Sequence, residues 1–215
     1  MGFANTAGPI GCLSEKGAHL NSHWISDQDP DARLFLGAES YLNSGGYMRG
    51  NVLIGRYCSI GRRVTIGAGA HDVDHLTTSP RIMGSTSHTY TSDERTRVYQ
   101  RSDRGEYTII ESDVWIGDGA VIMQGIRIAL GSVIGANAVV VRDTEPYEIV
   151  AGVAARSIGT RFDQETVSKL IASQWWEFPP NVINTFPMQN IFEFIKSFSQ
   201  QSPHHEPFPT WRVSQ

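Results

Sequence analysis

The sequence predicts an all-β chain wound as a parallel β-helix. Three observations carry that expectation: an aliphatic residue at every sixth position over two long stretches, abundant glycine, and little charge. The chain has 215 residues with 21 glycines, and only 19% of it is charged, a balance that favours tight turns over exposed helix. The hexad is the strongest of the three. Leu36, Leu42, Met48, Ile54, Ile60 and Ile66 form one series, and Ile110, Ile116, Ile122, Ile128, Ile134 and Val140 form a second. At 40% hydrophobic composition, twelve such positions agree by chance with a probability on the order of 10⁻³ once registers are scanned. Four residues after each stands a small or β-branched residue, running from Ser40 to Ala70 and then from Val114 to Thr144.

Taken in order, residues 1–35 have weak periodicity and are expected to lead into the first coil. Residues 36–160 form the β-helix domain, with residues 72–109 inserted as a loop, and residues 161–215 form a helical tail. Within a hexad, strand side chains alternate, so Cys58 and Ile60 point inward and Ser59 outward. Gly61 then begins a corner, where its freedom of φ suits a turn. Three hexads close one triangular coil, so twelve give about four coils, with room for a partial coil before Leu36. The insert is rich in Ser, Thr and Arg and must protrude, on a face that solenoids often use for binding. In the tail, Asp163 is a candidate N-cap, and Val167, Leu170, Ile171 and Trp175 follow at helical spacing. Phe178-Pro179-Pro180 stops that helix. Met188, Ile191, Phe192 and Ile195 indicate a second short helix, and Trp175 and Trp176 are expected to anchor the first to the core.

Composition excludes several classes. A formal charge of −4 removes the electrostatic footprint of a nucleic-acid binder. No apolar run approaches the roughly 18 residues of a membrane span, and the N-terminus carries no basic segment followed by an apolar stretch. A soluble cytoplasmic protein is therefore expected. Cys12 and Cys58 alone do not make a metal knot, and Cys58 fills an inward slot as a structural residue.

The chemistry gathers at His71, in Gly69-Ala70-His71-Asp72-Val73-Asp74, where the first repeat block ends and the insert begins. Histidine has the pKa of a general base at neutral pH. Asp74 either orients its imidazole or caps the loop. His75 and His88 share the insert, so a three-histidine metal site is an alternative; the second block contains no histidine on successive coils, which argues against zinc. Trp115 is bulky at an outward position and serves either subunit packing or a ligand cleft. Arg142, Arg156 and Arg161 cluster near the end of the repeat, with Lys169 following, as a cationic patch fit for a polyanion.

These residues carry a resemblance. Ile54-Gly-Arg-Tyr-Cys-Ser-Ile60-Gly, Val114-Trp115-Ile116-Gly117 and Ile134-Gly-Ala-Asn-Ala-Val-Val resemble the hexapeptide-repeat acyltransferases. Arg161-Phe162-Asp163 and Trp175-Trp176 resemble one branch of them, the type-B chloramphenicol and streptogramin O-acetyltransferases. The likeness covers roughly residues 36–180. It implies a left-handed coil, a homotrimer, and acetyl-CoA lying in a cleft between subunits. It implies direct acetyl transfer to a hydroxyl of a small molecule or saccharide, with His71 and Asp74 catalytic and no resident metal. It places Arg142 and Arg156 on the coenzyme A phosphates and Ala136 along the pantetheine arm; with the cleft between subunits, the two readings of Trp115 merge and it becomes a cofactor-binding candidate. The chain departs from the family at Gly152-Val153-Ala154-Ala155-Arg156, where Gly-Asn-Pro-Ala usually precedes the basic residue. The polar 83–107 stretch favours a hydroxyl-rich acceptor such as a sugar, and a xenobiotic acceptor stays open. So do two other readings: a zinc-dependent lyase or hydratase on the same scaffold, and a catalytically silent trimer.

Overall fold

The structure, a computed structural model, describes residues 11–20, 25–26, 33–71, 73, 76–79, 107–201, 203, 208 and 210–212. Five three-strand coils stack in parallel. The first is β1 (Gly11–Glu15), β2 (His19–Leu20) and β3 (Ile25–Ser26), and the second is β4 (Arg33–Leu36), β5 (Tyr41–Leu42) and β6 (Tyr47–Met48). The third is β7 (Asn51–Ile54), β8 (Ser59–Ile60) and β9 (Thr65–Ala68), and the fourth is β10 (Tyr107–Ile110), β11 (Trp115–Ile116) and β12 (Val121–Met123). The fifth is β13 (Arg127–Ile128), β14 (Val133–Ile134) and β15 (Val139–Val140). Above it β16 (Glu148–Ala151) opens another turn, and β17 (Arg156–Thr160) folds back antiparallel on it. β18 (Thr210–Arg212) runs antiparallel beside β1, ending a different face, the one built from β1, β4, β7, β10 and β13.

The hexad explains this stacking. Register places Leu36, Ile54, Ile110 and Ile128 in one column, Leu42, Ile60, Ile116 and Ile134 in a second, and Met48, Ile66, Ile122 and Val140 in a third. Every one of the twelve is buried, each contributing about 1.5–3 kcal/mol of transfer free energy. The small-residue positions are buried too, except Ala70, where the third coil opens into the insert. The four coils from Leu36 onward match the expected number, and the stack begins a full coil earlier, at Gly11. After the insert, Tyr107 pairs with Asn51, so the chain re-enters one rise above the coil it left.

The corner glycines act differently from expectation. Gly61 does not adopt a left-handed φ; a Cβ there would lie 2.7 Å from the Asp118 nitrogen in the coil above. Left-handed positions are held by Tyr57, Arg63, Asp113 and Asn137, and by other glycines of the repeat such as Gly45, Gly119, Gly125 and Gly131. At Gly61 glycine is required because the coils approach closely, not because the chain turns.

The tail comprises α1 (Gln164–Ser173), a 3₁₀ turn at Trp175–Glu177, α2 (Pro180–Ile183) and α3 (Ile191–Gln201). Asp163 caps α1, its Oδ1 accepting from the Thr166 N–H at 2.9 Å. α1 ends at Gln174 in the left-handed region, ahead of Phe178-Pro179-Pro180. The break sets Trp175 against Tyr57, ring centroids 5.3 Å apart, and the Tyr57 hydroxyl donates to the Phe178 carbonyl. α3 buries Phe194 and Phe198, while Phe192 is 68% exposed and Met188 lies outside the helix. This is the short helix expected from Met188, Ile191, Phe192 and Ile195: Ile191 and Ile195 pack against the cluster of Phe186, Phe194 and Phe198, residues that the sequence reading did not name. No helix among the described residues is long and apolar enough to cross a membrane.

Candidate active site

In the second to fifth coils the corner that follows the third strand carries polar side chains. Arg49 follows β6, Gly69-Ala70-His71 follows β9, Gln124 follows β12 and Arg142 follows β15. Strand spacing puts two coils, about 10 Å along the axis, between the levels of His71 and Arg142. His71 is exposed. Arg49 lies across Gly69, so a Cβ at that glycine would collide with its guanidinium. The Gln124 N–H donates to the Ala68 carbonyl at 3.0 Å, tying this strand end to the coil above. Asp74, His75 and His88 lie outside the described residues. Among the described residues no group of three His, Cys, Asp or Glu side chains could hold a metal.

The arginine cluster read from the sequence separates into different roles. Arg161 points inward: its Nη1 donates to Asp113 Oδ2 at 2.8 Å and to the Gly131 carbonyl at 2.9 Å, and it stacks over Tyr147 and Phe162. Burial pushes the Asp113 carboxyl up, and the Arg161 charge opposes that. Lys169 pairs with Glu165 along α1 at 2.6 Å. Neither is a free cation. Arg156 is exposed on β17 and has no ion-pair partner among the described residues. Arg142 is half-exposed and forks onto Glu148, with contacts of 2.7 and 3.2 Å. Glu148 is held below its ordinary value of 4.5, first by that bond to Arg142, with burial opposing.

The remaining predicted residues lie elsewhere on the coil. Trp115 is 58% exposed on the face built from β2, β5, β8, β11, β14 and β16, between buried Val114 and Ile116. Ala136 is exposed at the corner after β14, and its nitrogen comes so close to Gly117 that a Cβ there would stand 2.6 Å away. His71 and Arg142 thus share one edge, while Trp115, Ala136 and Arg156 share the second face and its surroundings. None of the five lines the cavity of about 880 Å³ between α1 and α3 or the one of about 550 Å³ between β4, β7, β10 and the tail. The turn at residues 152–155 keeps its attachment despite its departure from the family pattern: Gly152 has φ +93°, and the buried Ala155 donates its N–H to the Val139 carbonyl at 2.8 Å. Cys58 is fully buried, its thiol reaching the Glu111 carbonyl at 3.0 Å, and burial pushes it up to about 12.

Arg49, Gln124 and Glu148 were not singled out from the sequence. Reading the repeat by eighteen rather than six would have grouped Gln124 with Arg142; Arg49 stands one residue closer to its column residue, Met48, than they do to Ile122 and Val140. Nothing in the repeat marks Glu148, which belongs to the turn above it.

Residues 107–142 match a protein family described as bacterial transferase hexapeptide, six repeats. The chain is similar to a chloramphenicol acetyltransferase of Morganella morganii, 36% identical over 152 residues that cover 67% of this chain and 70% of that one. It is 39% identical over 131 residues to a chloramphenicol acetyltransferase of Escherichia coli, covering 60% of each chain, so the likeness spans about three fifths of that relative. A probable macrolide acetyltransferase of Lysinibacillus sphaericus is 34% identical over 130 residues, 59% of this chain and 69% of that one. Among solved structures, a hexapeptide-repeat-containing acetyltransferase from Vibrio cholerae superposes with a TM-score of 0.52 at 25% identity, covering 72% of this chain and 76% of that one. With its hexad columns, three parallel faces and helical tail, this chain belongs to the left-handed β-helix family of hexapeptide-repeat acetyltransferases, in the branch of the chloramphenicol and macrolide acetyltransferases.

Proposed function

We propose that this chain is an acetyl-CoA-dependent O-acetyltransferase that acts on a hydroxyl of a small molecule or saccharide, with His71 as general base. One observation carries the reading. The insert leaves the stack at an exposed His71, on a corner that also bears Arg49, Gln124 and Arg142. Coenzyme A is a polyanion, and on a chain of net charge −4 this corner and Arg156 supply local positive charge. The names of the relatives support a xenobiotic acceptor of the chloramphenicol or macrolide kind, and the polar 83–107 stretch supports a sugar.

In this mechanism His71 Nε2 accepts the hydroxyl proton as the acceptor oxygen bonds to the thioester carbonyl carbon. Backbone N–H groups at a coil corner hold the charge that develops on the carbonyl oxygen. The carbon–sulfur bond then breaks, and the imidazolium returns its proton to the departing thiolate. Asp74 orients the imidazole. Because His71 and Arg142 lie on one edge and Trp115, Ala136 and Arg156 lie around another face, one site that uses all of them spans two protomers. That arrangement supports a homotrimer with its three sites at subunit junctions. The free, buried thiol of Cys58 suits the reducing cytoplasm in which we place the protein.

The test is thiol release from acetyl-CoA with chloramphenicol, macrolides and a panel of sugars as acceptors, for wild type and His71→Ala. A lost general base lowers the rate by about 10²-fold or more. Turnover that survives the substitution overturns the assignment of His71, and turnover confined to either acceptor class decides between them.

A further inference from the structure

The guanidinium of Arg142 is already half engaged. Nη2 donates to Glu148 Oε1 at 2.7 Å, and Nη1 donates both to Glu148 Oε2 at 3.2 Å and to the Asp143 carbonyl at 2.7 Å. Glu148 therefore grips the end of the fork, and the backbone carbonyl takes the hydrogen that faces back along the side chain. Of the five N–H donors, the two without a partner among the described residues are Nε–H and the adjacent Nη2–H. These lie parallel on the side edge, the geometry that matches two oxygens of a phosphate. Arg142 itself is 43% exposed, while the anchor is not: Glu148 is 7% exposed and sits on β16 within the sheet. Its Oε2 also accepts the Glu145 N–H at 3.0 Å. A fixed carboxylate thus holds a cation whose outward edge is complete.

We propose that Glu148 is a positioning residue for the acyl donor: it clamps Arg142 by the end of its fork, so that the side edge faces outward to receive a phosphate group. This rests on the reading of Arg142 as a coenzyme A contact. Glu148 lowers the net positive charge at the corner, yet it removes the rotamer freedom that a half-exposed arginine otherwise loses on binding. At a solvent-screened site, orientation outweighs the lost charge.

Calorimetric titration of the full chain with coenzyme A tests the proposal, with pantetheine, which lacks phosphates, as the control probe. Arg142→Ala weakens coenzyme A binding by about 10-fold, the scale of a charged hydrogen-bonded contact, and leaves pantetheine binding unchanged. Glu148→Gln weakens coenzyme A binding in the same direction. In the double variant the two effects do not add, because both run through one guanidinium. In steady-state kinetics the KM for acetyl-CoA rises while kcat holds. Coenzyme A binding by Glu148→Gln at or above wild-type affinity, or additive effects, overturns the clamp. Wild-type affinity in Arg142→Ala overturns the reading of Arg142 itself. Arg142→Lys serves as a second variant: it keeps the charge without the fork and is expected to bind as weakly as Arg142→Ala. Wild-type binding by that variant overturns the role of the side edge.

Discussion

A methyl group on Gly55 would arrive 2.7 Å from the amide nitrogen of Ser112, one coil above. Backbone cannot yield there without separating the strands that Ile54 and Ile110 join. Gly55→Ala is expected to destabilise the chain by about 1–3 kcal/mol, the cost of overpacking a closed interior, read as a lower urea midpoint. Glu148 makes a prediction with a sign that depends on pH. Its folded pKa lies below the ordinary 4.5, so its stabilising contribution is complete above 4.5 and is lost as pH falls through the lowered value. The difference in unfolding free energy between wild type and Glu148→Gln is therefore largest at neutral pH and closes in acid. A gap that stays constant from pH 7 downward contradicts the pairing. At this scale the sequence marked His71, Trp115 and the inward columns, since each follows from position in the repeat. It did not mark the pairing of Arg142, because the partner lies in a turn outside the hexads.

Among the elements, the strands were legible and the helices only partly so. A strand two to five residues long shows its inward side in its own alternation, and the register of Ile60, Ile116 and Ile134 followed. The N-cap at Asp163 was legible for the same local reason. The face of α3 was not. Phe198 contacts Phe178, Phe186 and Phe194 at ring-centroid distances of 5.0 to 5.2 Å, whereas Phe192 faces outward beside the α1–α3 cavity. Phe198→Ala is expected to cost about 3–5 kcal/mol and Phe192→Ala to stay within about 0.5 kcal/mol. Thermal unfolding of both variants checks the pair, and equal losses would mean that the tail is packed by a different face. A helix rich in Phe and Ile on several sides leaves the choice to its neighbours.

For the whole molecule, the tail is held to the coil by Arg56. Its Nε and Nη2 donate to the two oxygens of Glu15, each at 2.6 Å, its Nη1 pairs with Glu177, and its guanidinium lies 4.7 Å from the Phe208 ring centroid. One side chain thus joins the first coil, the third coil, the 3₁₀ turn and the C-terminal segment. Glu15 is 5% exposed, so Arg56→Ala leaves a buried charge unpaired and is expected to destabilise by about 3–5 kcal/mol. Denaturant unfolding with the tail tryptophans as probes measures it; a loss below 1 kcal/mol would show that the tail docks without Arg56, through contacts such as Tyr57–Trp175 and Arg161–Asp113. The sequence by itself determined the coil, its three buried columns, the place where the insert leaves, and the histidine at that exit. All of these follow from a period of six, which repeats a local alternation and needs no knowledge of distant residues. Only the tertiary structure decided that Arg161 fastens the coil to its own tail, that Arg142 is gripped by Glu148, and that α3 turns Phe194 and Phe198 inward. The partners of a charge or an aromatic ring are set by which coils and helices meet, and those contacts bring together residues far apart in the chain.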